Sequence, residues 1–294
     1  MSHASRNSSP LRYPGGKSCM LGLISRIIKG NELLRCHYVE PYAGGCGLAL
    51  SLLYEGVVSD IHINDFDSAI WSFWYSVLYE TERFVDFVLS TDVTIPEWER
   101  QKEIYNAGDV SDPVALGFSA FFLNRTNRSG VIKGAGLIGG KSQDGKYKLD
   151  CRFNKESLIR RIRRVASYKK RISLYNLDAA IFVEKEFPER SFFCIDPPYV
   201  KKGSSLYTSF YEERDHVLIS DKVKGIRQPW VVTYDDNNLI RDSYKENPQY
   251  SFDIRYSLNK KAMGSEILIT SLGLKMPGEV EEARIKLYDR LKAV

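Results

Sequence analysis

No two cysteines in this chain stand at metal-binding spacing. The five, Cys19, Cys36, Cys46, Cys151 and Cys194, are odd in number and scattered, with no Cys-x-x-Cys. That excludes a small disulfide framework and a structural zinc, and points to a reduced, cytoplasmic protein. Histidine is scarce as well: His3, His37, His62 and His216 show no ligand pattern, so no metal is expected. No apolar run approaches the roughly 20 residues that cross a bilayer. Residues 1–10 are polar and Ser-rich, without the apolar stretch of a signal segment, and read as a flexible tail. Two phosphate loops fail by one position each. Gly16-Lys17-Ser18 would need a glycine at Leu11, and Gly140-Lys141-Ser142 one at Ala135, so ATP binding is not supported.

What is present begins with Phe192-Phe193-Cys194-Ile195, an apolar run that leads directly into Asp196-Pro197-Pro198-Tyr199. A buried strand would thus deliver a carboxylate, two rigid residues and a ring at its carboxyl end, where open α/β sheets bind ligands. The quartet suits a planar base carrying an amine. The ring can stack, while the carboxylate and a proline carbonyl accept the amine hydrogens. A strand followed by a Pro-Pro turn is the plain alternative.

Upstream, Met20, Leu23, Ile24, Ile27 and Ile28 fall on one helical stripe. Tyr38-Val39-Glu40 reads as a strand, followed by the turn Pro41-Tyr42-Ala43-Gly44-Gly45-Cys46-Gly47 and a helix. Ile61-His62-Ile63 is the next strand, ending at Asn64-Asp65. Strand, glycine turn, helix, strand and acid make half of a nucleotide-binding α/β fold. Asp65 lies 20 residues after Gly45, the position from which a carboxylate binds ribose hydroxyls. The G-x-G-x-x-G of a pyrophosphate site is absent. Instead Glu40 precedes the turn, which repels phosphate and favours a cation. The sulfonium and ammonium of S-adenosylmethionine fit it better than NAD; a solvated strand-end charge is the alternative.

From Phe121 to Tyr175 fifteen Lys and Arg face three acids, a local net of +12. This is a nucleic-acid footprint, although Arg160-Arg161-Ile162-Arg163-Arg164 alone could be a solubilising helix face. Six glycines crowd residues 124–153, which read as a loop or hairpin module, followed by a basic helix from Lys155 to Lys170. Strands resume at Ile172–Tyr175 and Trp230–Thr233. Phe252–Ile254 and Ile267–Thr270 form a closing antiparallel pair. The expected organisation is a core of residues 11–68 and 172–275 interrupted by a basic insertion, 69–171.

Pro14-Gly15-Gly16-Lys17, Glu40 to Gly47, Asn64-Asp65 and Asp196 to Tyr199 occur in that order. Together they resemble the Dam-type adenine-specific DNA methyltransferases, over about Leu11 to Thr270. The resemblance implies an α/β, Rossmann-like S-adenosylmethionine methyltransferase sheet with an inserted target-recognition subdomain. It implies double-stranded DNA as partner, S-adenosyl-L-methionine as cofactor and a restriction or defence system as a compatible context. Tyr13 and Lys17 would lie against the methionine end of the cofactor. Glu40, Pro41, Tyr42, Ala43, Gly44 and Gly45 would line its turn, Asp65 would hold the ribose, and Asp178 falls where the family often meets the adenine. Helix capping explains Asp178 equally well. Asn124-Arg125-Thr126 and Ser129-Gly130 resemble the start of the DNA-reading hairpin, but Lys133–Asp150 departs from the family pattern, so the recognised sequence is not carried over.

On this reading Asp196 and Pro197 accept the amine hydrogens, Pro198 stiffens the quartet and Tyr199 stacks on a flipped adenine. Arg125, Arg128, Lys133 and Arg152 are the DNA-contact candidates. Other planar amines remain as rivals. Asn in the first position of the quartet is typical of glutamine methylation and Ser leans towards cytosine, whereas Asp196 favours adenine. Adenine in RNA, and a catalytically silent DNA-binding subunit, are the further alternatives.

Overall fold

The structure is a computed structural model that describes residues 8–13, 16–200, 211–255, 263–278 and 286–287. Its eight-stranded sheet has the order β3-β2-β1-β4-β5-β7-β6-β8. The strands are β1 (Cys36–Glu40), β2 (Val58–Asn64), β3 (Ile172–Tyr175), β4 (Ser191–Ile195), β5 (Trp230–Asp235), β6 (Gln249–Arg255), β7 (Met263–Thr270) and β8 (Lys286–Leu287). β1 pairs with β4 and β4 with β5 in parallel, in the register Val39↔Phe193 and Ile195↔Val232. β7 is antiparallel to both β5 and β6, the closing pair expected from the sequence. The fold is Rossmann-like. Strand order reverses between β1 and β4, and a crevice at the carboxyl ends of the strands flanking such a point is where open α/β sheets take ligands.

β4 and β5 are buried along their whole lengths. This is why Phe192 to Ile195 and Trp230 to Val232 read as unbroken apolar runs rather than alternating ones. The helices are α1 (Leu21–Gly30), α2 (Gly47–Tyr54), α3 (Ser68–Tyr79), α4 (Thr81–Ser90), α5 (Ile95–Ala107), α6 (Pro113–Thr126), α7 (Lys155–Ser167), α8 (Ala179–Phe182), α9 (Glu213–Lys224) and α10 (Asn238–Ser243). Several start where side-chain chemistry dictates. Asp67 caps α3, Thr94 caps α5 and Asp112 caps α6, each accepting orphan backbone N–H groups.

The chain forms two compact units. The first holds residues 1–19, 43–51 and 63–177, and so contains the whole expected insertion together with the glycine turn and Asp65. Its core is aromatic: Phe73 stacks on Phe121 at 5.6 Å, Phe84 meets Phe118 edge-on, and Phe153 packs on Phe121 and Phe122. The second holds residues 20–42, 52–62 and 178–294, with β1, β4, β5, β6 and β7. All five cysteines are free thiols.

Ser8 to Pro10, expected to belong to a flexible tail, are packed. Ser8, Ser9 and Pro10 are buried, and the Ser8 and Ser51 hydroxyls lie 2.9 Å apart. Small hydroxyl side chains that look like a frayed end in sequence are here packed against α2.

Candidate active site and nucleic-acid surface

In the first unit, the glycine turn and Asp65 are joined directly. The Gly44 N–H donates to Asp65 Oδ2 at 2.8 Å, and the Asp67 N–H to Oδ1 at 3.0 Å. Burial and the neighbouring Asp67 raise the Asp65 pKa to about 7, against the pull of those two donors. Trp74 Nε1 donates to the Gly44 carbonyl, and the Ala43 N–H to the Asn64 carbonyl, fixing the turn from both sides. Asn64 in turn exchanges two hydrogen bonds with the backbone of Leu177.

Tyr13 lies on the turn. A Cβ at Gly45 would come 2.6 Å from Tyr13 Cβ, and one at Gly44, where φ is +44°, 2.7 Å from the Tyr13 ring. Only glycine leaves room for this approach. Lys17 is buried at the start of a short 3₁₀ turn.

In the second unit, Glu40 ends β1 and Asp196 follows β4, its parallel neighbour. Both acids therefore stand at the same end of adjacent strands, with Glu40 buried and Asp196 half-buried. Asp196 Oδ1 accepts a hydrogen bond from the Thr233 hydroxyl of β5 at 2.7 Å. The loop after it is tied to the end of the same strand, where the Val200 N–H donates to Asp235 Oδ1 at 3.1 Å. The Tyr199 ring is buried, 6.4 Å from the Tyr234 ring. The hydroxyls of Tyr42 and Tyr211 lie 2.8 Å apart. Burial drives the Tyr42 pKa well up, so it is a neutral hydrogen-bonding group. His216, buried within 3.1 Å of the Tyr234 hydroxyl, is held below its usual pKa by desolvation. Asp178 caps α8, accepting from the Ala180 N–H at 2.8 Å.

The sequence reading did not find Thr233, Asp235 or the tyrosine pair Tyr42–Tyr211. Thr233 did leave a trace, since a hydroxyl in a strand buried on both faces must find a partner.

The basic candidates separate. Arg128, Lys133 and Arg152 are exposed. Arg125 is only 7% exposed, and its guanidinium donates to the carbonyls of Arg152, at 2.8 Å, and Pro10. The glycine-rich module closes as a small hairpin, with the Arg128 N–H on the Gly136 carbonyl and the Ile138 N–H on that of Thr126. On α7, Arg160 pairs with Glu156 and Arg163 with Glu82, as an outward helix face would.

Among the described residues no group of three His, Cys, Asp or Glu could hold a metal, and no helix is long and apolar enough to cross a membrane.

The model of the D12 class N6 adenine-specific DNA methyltransferase family matches residues 13–260. The chain belongs to that family. The match runs from Tyr13 through the glycine turn, Asp65 and the Asp196 quartet. No curated protein matches the chain. Among solved structures, a Listeria monocytogenes protein assigned to the class I S-adenosylmethionine-dependent methyltransferases aligns with 89% of this chain at 11% identity and a TM-score of 0.39. The chain spans 61% of that protein's length.

Proposed function

We propose that this D12-family chain transfers a methyl group to the N6 amine of a flipped adenine in duplex DNA. The observation that carries the reading is the Asp196 carboxylate, held by Thr233 where β4 ends, one strand from Glu40. The exposed cations Arg128, Lys133 and Arg152 support a DNA substrate.

The donor set fits S-adenosyl-L-methionine. Asp65 is suited to the ribose hydroxyls, and a buried Glu40 to a cationic centre. Tyr13 and Lys17, with the turn Pro41 to Gly45, would line the methionine end, and Asp178 would lie near the adenine. When bound, the cofactor supplies an electrophilic methyl group on a positive sulfur.

The protein's own part is geometric. The amine lone pair of adenine is delocalised into the ring, so the nitrogen is a poor nucleophile. Asp196 and the Pro197 carbonyl each accept one amine hydrogen, which draws the nitrogen towards a tetrahedral shape and frees its lone pair. The same oxygens stabilise the positive charge that develops there, because they are already in place. Asp196 then holds the proton that the nitrogen sheds. Pro198 limits the loop's freedom and Tyr199 offers a ring to the extruded base. Flipping costs a few kcal/mol, which contacts to phosphate and neighbouring bases must offset.

On this reading the protein acts in the cytoplasm, and a restriction or defence activity reading the same DNA sequence is the partner it would serve. The test is tritiated-methyl transfer to mixed genomic DNA by wild type and Asp196→Ala. Transfer should vanish in the variant while binding of S-adenosylhomocysteine persists. Wild-type turnover in Asp196→Ala would overturn the assignment, and incorporation into transcript but not duplex DNA would move the substrate to RNA.

A further inference from the structure

Four guanidinium groups meet in the first unit around one cavity of about 380 Å³. Arg12, Arg125, Arg152 and Arg161 line it, on the side of the glycine turn where Tyr13 and Gly45, proposed above for the cofactor, also reach it. They come from distant points of the chain: the segment before the first helix, the end of α6, the loop before α7, and α7 itself. Among the described residues none of the four is paired with a carboxylate. Arg125 feels the charges of Arg12, Arg161 and Arg152, Arg12 feels that of Arg152, and Arg161 feels that of Arg160. Burial lowers the pKa of Arg12, Arg125 and Arg161, and neighbouring arginines lower it further. Arg125 falls to about 9 yet stays charged at neutral pH. Like charges are thus held together at an electrostatic cost, which Cys151 beside Arg12 and Arg125 offsets only in part.

The arrangement is built, not accidental. Asn124, fully buried, accepts from the Arg12 N–H at 2.8 Å and donates to the Arg12 carbonyl at 3.1 Å. The same amide donates to the Gly130 carbonyl. Gly130 has φ +77°, and a Cβ there would lie 2.1 Å from the Arg12 carbonyl oxygen. Arg125, more than nine-tenths buried, uses Nε and Nη1 to hold the backbone of Arg152 and Pro10. Arg125 also lines the cavity. Arg12 Nη1 is buried with no hydrogen-bond partner among the described residues. A buried, unpaired guanidinium N–H is costly unless something accepts from it. Arg161 differs in the same way from its neighbours on α7. Arg160 and Arg163 face acids, whereas Arg161 is half-buried and reaches only the Ser9 carbonyl and the Ser157 hydroxyl, at 3.4 and 3.5 Å.

We propose that this cavity is a phosphate-binding site, in which Arg12, Arg125, Arg152 and Arg161 surround one phosphate or two linked ones. Planar forked donors match phosphate oxygens in pairs, and several guanidinium groups with no acid among them suit a multiply charged anion. A carboxylate would use less of the charge, and a cation is excluded. Two sources share the chemistry: a backbone phosphate of bound DNA, and a free phosphate or pyrophosphate. The site stands whether or not the chain methylates DNA.

The experiment is isothermal titration of the full chain with inorganic phosphate and with pyrophosphate, against sodium chloride at equal ionic strength. Saturable binding is expected in wild type. In Arg152→Gln/Arg161→Gln the dissociation constant should rise at least tenfold, while Arg160→Gln, one position away and ion-paired outward, should bind as wild type does. Arg125 is left intact because it also holds the backbone. Absence of saturable binding in wild type, equal heats with chloride, or unchanged binding in the double variant would each overturn the site. If the double variant does not fold, the wild-type titration against chloride still decides. A second arm names the source. If phosphate displaces a short DNA duplex, and the double variant binds that duplex more weakly, the occupant is the DNA backbone. If duplex affinity is indifferent to both, the occupant is a free phosphate.

Discussion

The Thr233 hydroxyl donates to Asp196 Oδ1 at 2.7 Å from a side chain with no exposed surface. This contact helps to set the orientation of the proposed catalytic carboxylate about its Cα–Cβ bond. Thr233→Val keeps the shape and removes the donor. The expected result is a fall in kcat of about tenfold, corresponding to about 1.4 kcal/mol, with KM for DNA and cofactor little changed. Thr233→Ser should restore most of the rate. Thermal unfolding of all three proteins, measured beside the kinetics, separates lost orientation from lost stability.

Asp65 predicts two opposite pH trends. Burial raises its folded pKa to about 7, well above the usual range of an aspartate. The native state therefore binds the proton more tightly, so this group's contribution to stability is fully present below about pH 4 and is lost as pH rises through 7. Cofactor binding should run the other way, since the ionised carboxylate is the better acceptor for ribose hydroxyls. Between pH 6 and 8 wild type should gain affinity for S-adenosylhomocysteine while losing some thermal stability. Asp65→Asn should flatten both curves and weaken binding at pH 8. Calorimetric titrations and melting curves at three pH values check this. Parallel pH profiles in the two proteins would remove Asp65 from the cofactor site.

Gly45→Ala should displace Tyr13, because the new Cβ would lie 2.6 Å from Tyr13 Cβ. Overpacking of this kind costs typically 1–3 kcal/mol, and cofactor affinity should fall with it. In Tyr13→Ala the same glycine substitution should be much better tolerated. Equal destabilisation in both backgrounds, read from chemical denaturation, would mean that the two residues do not meet.

Neutralising the exposed cations Arg128 and Lys133 together should lower the slope of log K against log salt for duplex binding by about 1.8, at ~0.9 per phosphate contact. Arg125→Gln should behave differently. It removes donors from the carbonyls of Arg152 and Pro10, so the first effect should be a lower melting temperature. Filter binding across a salt series, with melting curves for each variant, distinguishes the two classes of arginine.

Much of this was legible in the sequence because the physics there is local. A strand buried on both faces must be apolar throughout, so Phe192 to Ile195 announced β4 and placed Asp196 at its end. A glycine turn followed by an acid 20 residues later announced the first half of the fold. What stayed hidden depends on contacts between distant segments. Thr233 reads as one more strand residue until β5 is laid beside β4. Ser8 to Pro10 read as a tail because nothing local marks the place of Ser51. The basic run on α7 needed helical phase rather than composition. Arg161 is three residues after Leu158 and four before Val165, both buried, which turns it inward while Arg160 and Arg163 face solvent.

The clamp of Asn124 on Arg12 carries a consequence for biosynthesis. The two residues are 112 positions apart, so on the ribosome the Arg12 segment emerges long before the amide that fixes it. At an elongation rate of about 5–20 residues per second, that segment waits roughly 6–22 seconds for its partner. A nascent chain halted before the end of α6 should therefore leave residues 8–13 open to protease, and one halted well beyond it should protect them.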